Sequence, residues 1–308
     1  MRNIFIIFVV VVLAIIGVLF LIRGSSQKTE NESLIIKGSD TEVQLVSNLV
    51  EAFLGKNPEA DISVTGGGSG VGVAALLNRE INLANSSRRI KEEELLQAKS
   101  KNSDVQEFIL ARDGLSIIVH PENQIEKLTV DEIGKIYRGE IVNWEKVGGK
   151  DKKVELYGRQ STSGTYLFFR NLVVKDDYSP NMKNMEGSQA IVDAVKSDKN
   201  GVGYVGVGYV KDDKGSLRND IKIVPIAKDI DSPAISPLDK DAVKKGDYPI
   251  SRPIFQYLSN LPVKNSLLDK FLLFEASDQG QDIIEKTGFY ALTETDIIQN
   301  QLLFEKIK

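Results

Sequence analysis

Apolar positions recur with two different periods along this chain. From Ser33 onward, short apolar runs alternate with stretches whose apolar residues return every three or four positions. LIIKG at 34–38 reads as a buried strand. Val43, Val46, Leu49, Val50 and Phe53 then mark one face of a helix that Gly55 and Pro58 bring to a stop. DISVTG at 61–66 reads as a strand, VGVAALLNRE at 71–80 as a helix, INLAN at 81–85 as a strand and KEEELLQAKS at 91–100 as an exposed helix. EFILARDGLSIIVHP at 107–121 holds two strand-like runs around Asp113-Gly114. The second half repeats the alternation: a short helix at 131–139, a strand at 153–159, a helix at 188–201 and a glycine-broken strand at 202–210. From residue 250, ISRPIFQYLS gives a strand, and LLDKFLLFEAS and GQDIIEKTGF give two helices. Strand–helix alternation of this kind predicts an α/β fold with mostly parallel sheets.

The first 32 residues follow a different pattern. Residues 4–22, IFIIFVVVVLAIIGVLFLI, carry no charge and stand between Arg2 and Arg23. At about 1.5 Å per residue they nearly span a hydrocarbon core. The stretch is long for a secretory signal, and no small-x-small cleavage site follows it. It reads as an uncleaved membrane anchor, with a cleaved signal as the alternative. Both place the body of the protein outside the cytoplasmic membrane. The polar residues 24–33, GSSQKTENES, read as a linker.

Composition narrows the chemistry. The chain has 308 residues, 42% hydrophobic and 27% charged, as an ordinary globular protein does. A net charge of -4 argues against non-specific nucleic-acid binding. There is no cysteine, which excludes disulfides, thiolate metal sites and cysteine nucleophiles. The single histidine, His120, excludes multi-histidine metal sites.

The informative chemistry lies where strands hand over to helices. Three junctions are rich in small and hydroxyl residues: Gly38-Ser39-Asp40-Thr41, Thr65 through Gly70 (TGGGSG), and Arg159 through Thr165 (RQSTSGT). A helix N-terminus presents unpaired N–H groups and the positive end of the dipole, so it attracts anions. Glycine lets a backbone approach closely, and hydroxyls add short neutral donors. Arg159 adds a forked, permanent charge. Any one junction alone reads as ordinary helix capping. Three together suggest a cage for a small tetrahedral oxyanion. Nucleotide loops are a poorer match: Val73 stands where a dinucleotide fingerprint needs a third small residue, and no GK[ST] follows a glycine loop.

Six segments in order, GSDTEVQLV, VTGGGSGVGVAAL, ANSSR, DGLSIIVHP, YGRQSTSGTYLFF and GVGYVGVGYV, resemble the periplasmic phosphate-binding proteins of bacterial Pst ABC transporters, over about residues 34–300. The resemblance implies a two-lobed periplasmic-binding-protein fold with the ligand cleft at the hinge. Lobe I would comprise 33–113 and 250–308, lobe II 114–249, with crossings near Asp113-Gly114 and Tyr248-Pro249. It implies phosphate contacts from Ser39, Asp40, Thr41, Ser69, Ser86, Ser87, Arg159, Ser163, Gly164 and Thr165; Arg88, next to Ser87, is a candidate second cation outside that set. It implies no catalytic residue, metal or cofactor. The partners would be inorganic phosphate and the transmembrane subunits of an ABC permease, with the chain itself a monomer held to the membrane through its N-terminal helix, or secreted after cleavage.

The chain departs from the family where well-studied members carry an aspartate and this chain carries Ser87; Asp40 conversely stands where threonine is common. A fixed carboxylate accepts the O–H that phosphate keeps near neutral pH and repels sulfate, which has none. Asp40 either takes over this acceptor role or caps the helix that follows it. The departure keeps sulfate or molybdate open as ligands. The apparent anchor keeps open a membrane-tethered sensor. A hydrolase would require Ser163 and His120 together. His120 otherwise reads as a strand-end residue and Trp144 as loop packing, with Tyr137, Arg138 and Gly139 as a surface for docking on a transporter. Tyr204 and Tyr209 read as packing beneath the cleft.

Overall fold

The computed structural model describes residues 32–212 and 215–307. The anchor or signal expected over residues 4–22, and most of the linker after it, lie outside that range. Ser33–Lys308 forms one compact unit. Among the described residues no helix is long and apolar enough to cross a membrane.

The first part of the chain contributes β1 (Ser33–Gly38), α1 (Val43–Leu54), β2 (Asp61–Thr65), α2 (Ser69–Leu77), β3 (Leu83–Ser86), α3 (Glu92–Ser100) and β4 (Gln106–Gly114). The middle contributes β5 (Ser116–Val119), β6 (Leu128–Thr129), α4 (Val130–Arg138), β7 (Glu155–Arg159), α5 (Gly164–Phe169), β8 (Lys183–Met185), α6 (Gly187–Ser197), β9 (Gly201–Val205), β10 (Lys222–Val224), β11 (Ile226–Ala227), β12 (Ala234–Ile235) and α7 (Lys240–Lys245). The end contributes β13 (Ser251–Leu258), α8 (Leu267–Ala276), α9 (Asp278–Lys286) and α10 (Glu294–Phe304).

Two five-stranded sheets result, one in the order β2-β1-β3-β13-β4 and the other β10-β5-β9-β7-β8, with a small third sheet β12-β11-β6. Helices cover both large sheets, and each sheet has its own core. Leu34, Ile36, Leu49, Phe53, Phe108 and Phe271 pack in the first; Ile117, Leu156, Phe169, Val192 and Tyr204 pack in the second. The strands β3, β5 and β9 are buried along their whole length, which is why their sequences do not alternate between apolar and solvent-facing polar residues.

The expectation of mostly parallel sheets holds for β1 with β2 and β3, and for β7 with β8 and β9. It fails at the strands that link the sheets. β13 runs antiparallel to both β3 and β4, and β5 runs antiparallel to β9 and β10. These strands carry the chain out of one sheet and back, so their direction is set by the crossing and not by a βαβ turn. The chain leaves the first sheet at Gly114, enters the second at Ser116 and returns at Ser251. Residues 202–210, expected as one broken strand, divide into β9 and a 3-10 turn at Val207–Val210.

Candidate functional site

The three glycine- and hydroxyl-rich junctions meet at one place between the two sheets. Ser39 and Thr41 come from the β1–α1 loop, Ser69 from the start of α2, and Thr165 from the first turn of α5. Ser87 follows directly after β3. The hydroxyls form one connected cluster. Ser39 Oγ donates to Ser87 Oγ at 3.0 Å, and Ser87 Oγ lies 3.2 Å from Thr165 Oγ1 and 3.4 Å from Ser69 Oγ. Thr41 Oγ1 lies 2.8 Å from Thr165 Oγ1. All these residues are buried. Hydroxyls both donate and accept, so such a cluster can turn its hydrogens toward a shared anion.

Local structure explains why each group points inward. Ser163 caps α5, its Oγ accepting the Tyr166 amide at 3.3 Å, and this aims the amides of Gly164 and Thr165 at the cluster. Gly68 has φ +95°, and a Cβ there would lie 2.7 Å from the Thr162 carbonyl oxygen. Only glycine lets the two loops approach so closely. The adjacent Gly70 amide donates to that same carbonyl at 3.0 Å, tying the loop of one sheet to that of the other.

Arg159 ends β7 and is 1% exposed. Its guanidinium forms an ion pair with Asp40 and donates to Ser188 Oγ at 3.3 Å, while Nε has no partner among the described residues. Asp40 also accepts the Gly67 amide at 2.8 Å. It therefore bridges Arg159 and the β2–α2 loop instead of capping α1.

Tyr204 and Tyr209 support the arrangement from below and from the side. Tyr204 stacks on Phe169 with centroids 4.2 Å apart and accepts the Arg159 amide at 3.1 Å. Tyr209 donates to the Asp40 carbonyl at 2.6 Å. Burial pushes both phenols up to about 12, so they remain neutral donors at physiological pH.

Two candidates from the sequence are placed elsewhere. Ser86 Oγ donates to the Arg88 carbonyl at 2.7 Å, and Arg88 is turned to Glu94, with Nη–Oε distances of 2.6 and 2.8 Å. His120 accepts the Glu122 amide through Nδ1, well accounted for as a strand-end residue. Tyr137 is buried and bonded inward to the Tyr157 carbonyl, so it does not contribute to a docking surface, whereas Trp144 is buried and donates to the Asn200 carbonyl, as a loop-packing residue does.

Sequence reasoning missed a buried ion pair at the site. Arg252, near the start of β13, meets Asp113, near the end of β4, at 2.8 Å. Arg252 also donates to Thr165 Oγ1 at 3.1 Å and to the Ser87 carbonyl at 2.9 Å, and stands over the Phe168 ring. It thereby fixes Thr165 with its lone pair occupied and its own hydrogen free to turn inward. Asp113 accepts the Val207 amide at 2.8 Å. The available signal was a lone arginine in the strand run ISRPIFQYLS.

The comparisons with known proteins agree with this geometry. Residues 24–279 match the family model described as a PBP superfamily domain. The phosphate-binding protein PstS of Staphylococcus haemolyticus (strain JCSC1435) is 32% identical over 262 residues, covering 84% of this chain and 80% of that protein. The PstS of Staphylococcus aureus (strain USA300) is 32% identical over 261 residues, covering 83% and 77%. The chain belongs to the PstS family within the PBP superfamily. Among solved PBP structures, a phosphate ABC transporter substrate-binding protein of Clostridium perfringens with bound phosphate has a TM-score of 0.73. It is 26% identical and covers 85% of this chain and 100% of that one. An ABC-type phosphate transport receptor from Vibrio cholerae has a TM-score of 0.64, with 25% identity, covering 83% and 99%. The family-model match over residues 24–279 takes in both large sheets and every junction that builds the hydroxyl cluster.

Proposed function

We propose that this chain is an extracytoplasmic solute-binding protein that captures inorganic phosphate between two lobes and delivers it to the transmembrane subunits of an ABC permease. The observation that carries this reading is the convergence of Ser39, Thr41, Ser69, Ser87 and Thr165 in one buried hydroxyl cluster at the start of α5, with the Arg159 guanidinium paired to Asp40 of the same β1–α1 loop. The donors are neutral or cationic, short and convergent, which suits a compact tetrahedral oxyanion. The PstS relatives and the phosphate-bound Clostridium neighbour support phosphate as that anion.

Lobe I comprises 33–113 and 250–308, and lobe II 114–249; the sheet crossings support this division. Phosphate is held by Ser39, Thr41, Ser69, Ser87, Arg159, Thr165 and the Gly164 amide. Asp40 accepts the phosphate O–H. Capture proceeds by closure of the lobes about the two crossings, without a chemical reaction. The chain acts as a monomer, held at the membrane by residues 4–22 or released from them. The acidic body is no obstacle, because distant surface charges are screened within about 8–10 Å.

Calorimetry on residues 33–308, stripped of ligand by unfolding and refolding, tests the reading. Phosphate should bind tightly at neutral pH and sulfate should give no heat. Sulfate binding as tight as phosphate would reassign the ligand to another oxyanion.

A further inference from the structure

A cavity of about 590 Å³ adjoins the oxyanion cluster. Two residues of the site line it: Thr41, which bonds Thr165, and Tyr209, which donates to the Asp40 carbonyl. Thr41 is buried, whereas Gln44 and Asn48, three and seven positions on, continue the same face along α1 toward solvent. Gln44 donates to Asn48 Oδ1 at 2.8 Å, and Asn48 donates to Thr287 Oγ1 at 3.1 Å, which ties this wall together. Gln189 of α6, Lys211 and Arg218 line the cavity from the side of the second sheet.

The charge around this cavity is mostly positive. Among the described residues, Lys211, Arg218 and Lys286 line it against one carboxylate, Asp212. Asp212 accepts the Ser216 amide at 2.9 Å. Arg218 is paired with Asp220 and Lys286 with Asp282, so acids beyond the cavity offset part of their charge. Lys211 is placed differently. It is half-buried, two positions from Tyr209, and its stem crosses to the chain that follows α9. A Cβ built on Gly288, whose φ is +100°, would lie 3.1 Å from Lys211 Cδ.

We propose that this cavity is the entry to the oxyanion site and that Lys211 steers the incoming anion through it toward Thr41. The role rests on the phosphate reading above. A cleft lined by one sign of charge, with low-dielectric walls, focuses its field on an approaching ion. Surface acids elsewhere are screened within about 8 Å at physiological ionic strength, so an anion at this mouth meets Lys211 before it senses the net charge of -4. A cation that acts on approach changes the rate of association, while release is set by the cluster that grips the anion. A lysine that merely clamped the two sides together would do the opposite and change release.

The test compares wild type, Lys211→Met and Lys211→Glu as full chains in detergent, with inorganic phosphate as the ligand. Methionine keeps a stem over Gly288 and removes the charge; glutamate reverses it. Dissociation is followed by chasing radiolabelled phosphate with unlabelled phosphate, and Kd is taken from calorimetry; their quotient is the association rate constant. At about 10 mM salt, where the screening length is about 30 Å, Lys211→Met should associate about threefold more slowly than wild type and Lys211→Glu about tenfold. At about 1 M salt, where that length is about 3 Å, the three should agree within about twofold. Dissociation from Lys211→Met should stay within about twofold of wild type throughout. Equal association rate constants at low salt overturn the steering role and leave phosphate binding in place. Faster dissociation with unchanged association makes Lys211 a clamp and overturns it equally. Absence of phosphate binding in all three proteins overturns the phosphate reading and the role with it.

Discussion

Asp40 and Arg159 join the two halves of the molecule. The carboxylate sits on the loop between β1 and α1, the guanidinium at the end of β7, and the two pair across the gap between the sheets. The residues are 119 positions apart in sequence, and Arg159 is almost wholly buried while Asp40 keeps some exposure. This pair places the only acidic side chain from the first junction against the cation of the third. Asp40 thus orients Arg159 while holding the Gly67 amide, and in the proposed function it also accepts the O–H of a protonated oxyanion.

Asp40→Asn separates those tasks. The amide oxygen can keep the Gly67 contact, but the substitution removes the carboxylate that accepts a phosphate O–H. The preference for phosphate over sulfate should narrow by about tenfold or more. Paired calorimetric titrations of the two anions check this; an unchanged preference would leave Asp40 as a lobe-to-lobe contact only.

Arg159→Lys retains the charge and loses the planar fork. A lysine cannot reach the ligand, Asp40 and Ser188 together. Phosphate affinity should drop by about 1.5–3 kcal/mol, the scale of a charge-assisted hydrogen bond. The melting temperature without ligand should change far less.

Gly164→Ala places a methyl where there is no room. Its Cβ would lie 2.3 Å from Ser69 Oγ, 2.8 Å from Ser69 Cβ and 2.9 Å from Ser87 Oγ. The serine hydroxyls can rotate, but the Ser69 Cβ is fixed to α2. The variant should fold and lose phosphate affinity by about tenfold or more, since the methyl wedges the α5 turn away from the cluster. Equal affinity in the two proteins would show that the junctions meet less tightly in solution.

Arg252 and Asp113 are both buried at the sheet crossings. Removing one partner leaves a buried charge without compensation. Asp113→Asn or Arg252→Met should each destabilise the protein by about 3–5 kcal/mol in chemical denaturation. Arg252→Met should also weaken phosphate binding, because Thr165 loses the donor that orients it.

Glu275 on α8 is buried, and burial raises its carboxyl well above the ordinary value of 4.5, with the Gln256 amide offsetting part of the rise. The folded state then binds a proton that the unfolded state has released. The unfolded chain holds fewer protons above pH 4.5, so stability falls as pH rises from there toward the raised value. Glu275→Gln removes this dependence. It should be more stable than wild type at pH 7–8, with the gap closing near pH 4.5, as urea denaturation at several pH values would show.

The sequence by itself determined the local elements and the chemistry at their ends. Periodic apolar residues such as Val46, Leu49 and Phe53 specify α1 whatever its neighbours, because one face must be buried. Hydroxyl and glycine residues at Ser39, Ser69, Ser163 and Gly164 mark the places where strands hand over to helices, and Ser163 does so by capping chemistry that is local. Arg159 stood out because a lone arginine among such residues has few bland roles.

Only the tertiary structure decided which of two neighbouring residues faced the cluster. Ser86 and Ser87 are equivalent in composition, yet the alternation of side chains at the end of β3 turns one to the Arg88 carbonyl and the other to Thr165. Arg88 was claimed by Glu94 six residues on, a choice no spacing rule fixes. The antiparallel course of β13, the Asp113–Arg252 pair and the burial of Glu42 depend on contacts between residues far apart in the chain. Such contacts exist only after two cores have formed and their loops have met. A sequence pattern reports the neighbours along a chain, whereas desolvation and charge pairing are set by the neighbours in space.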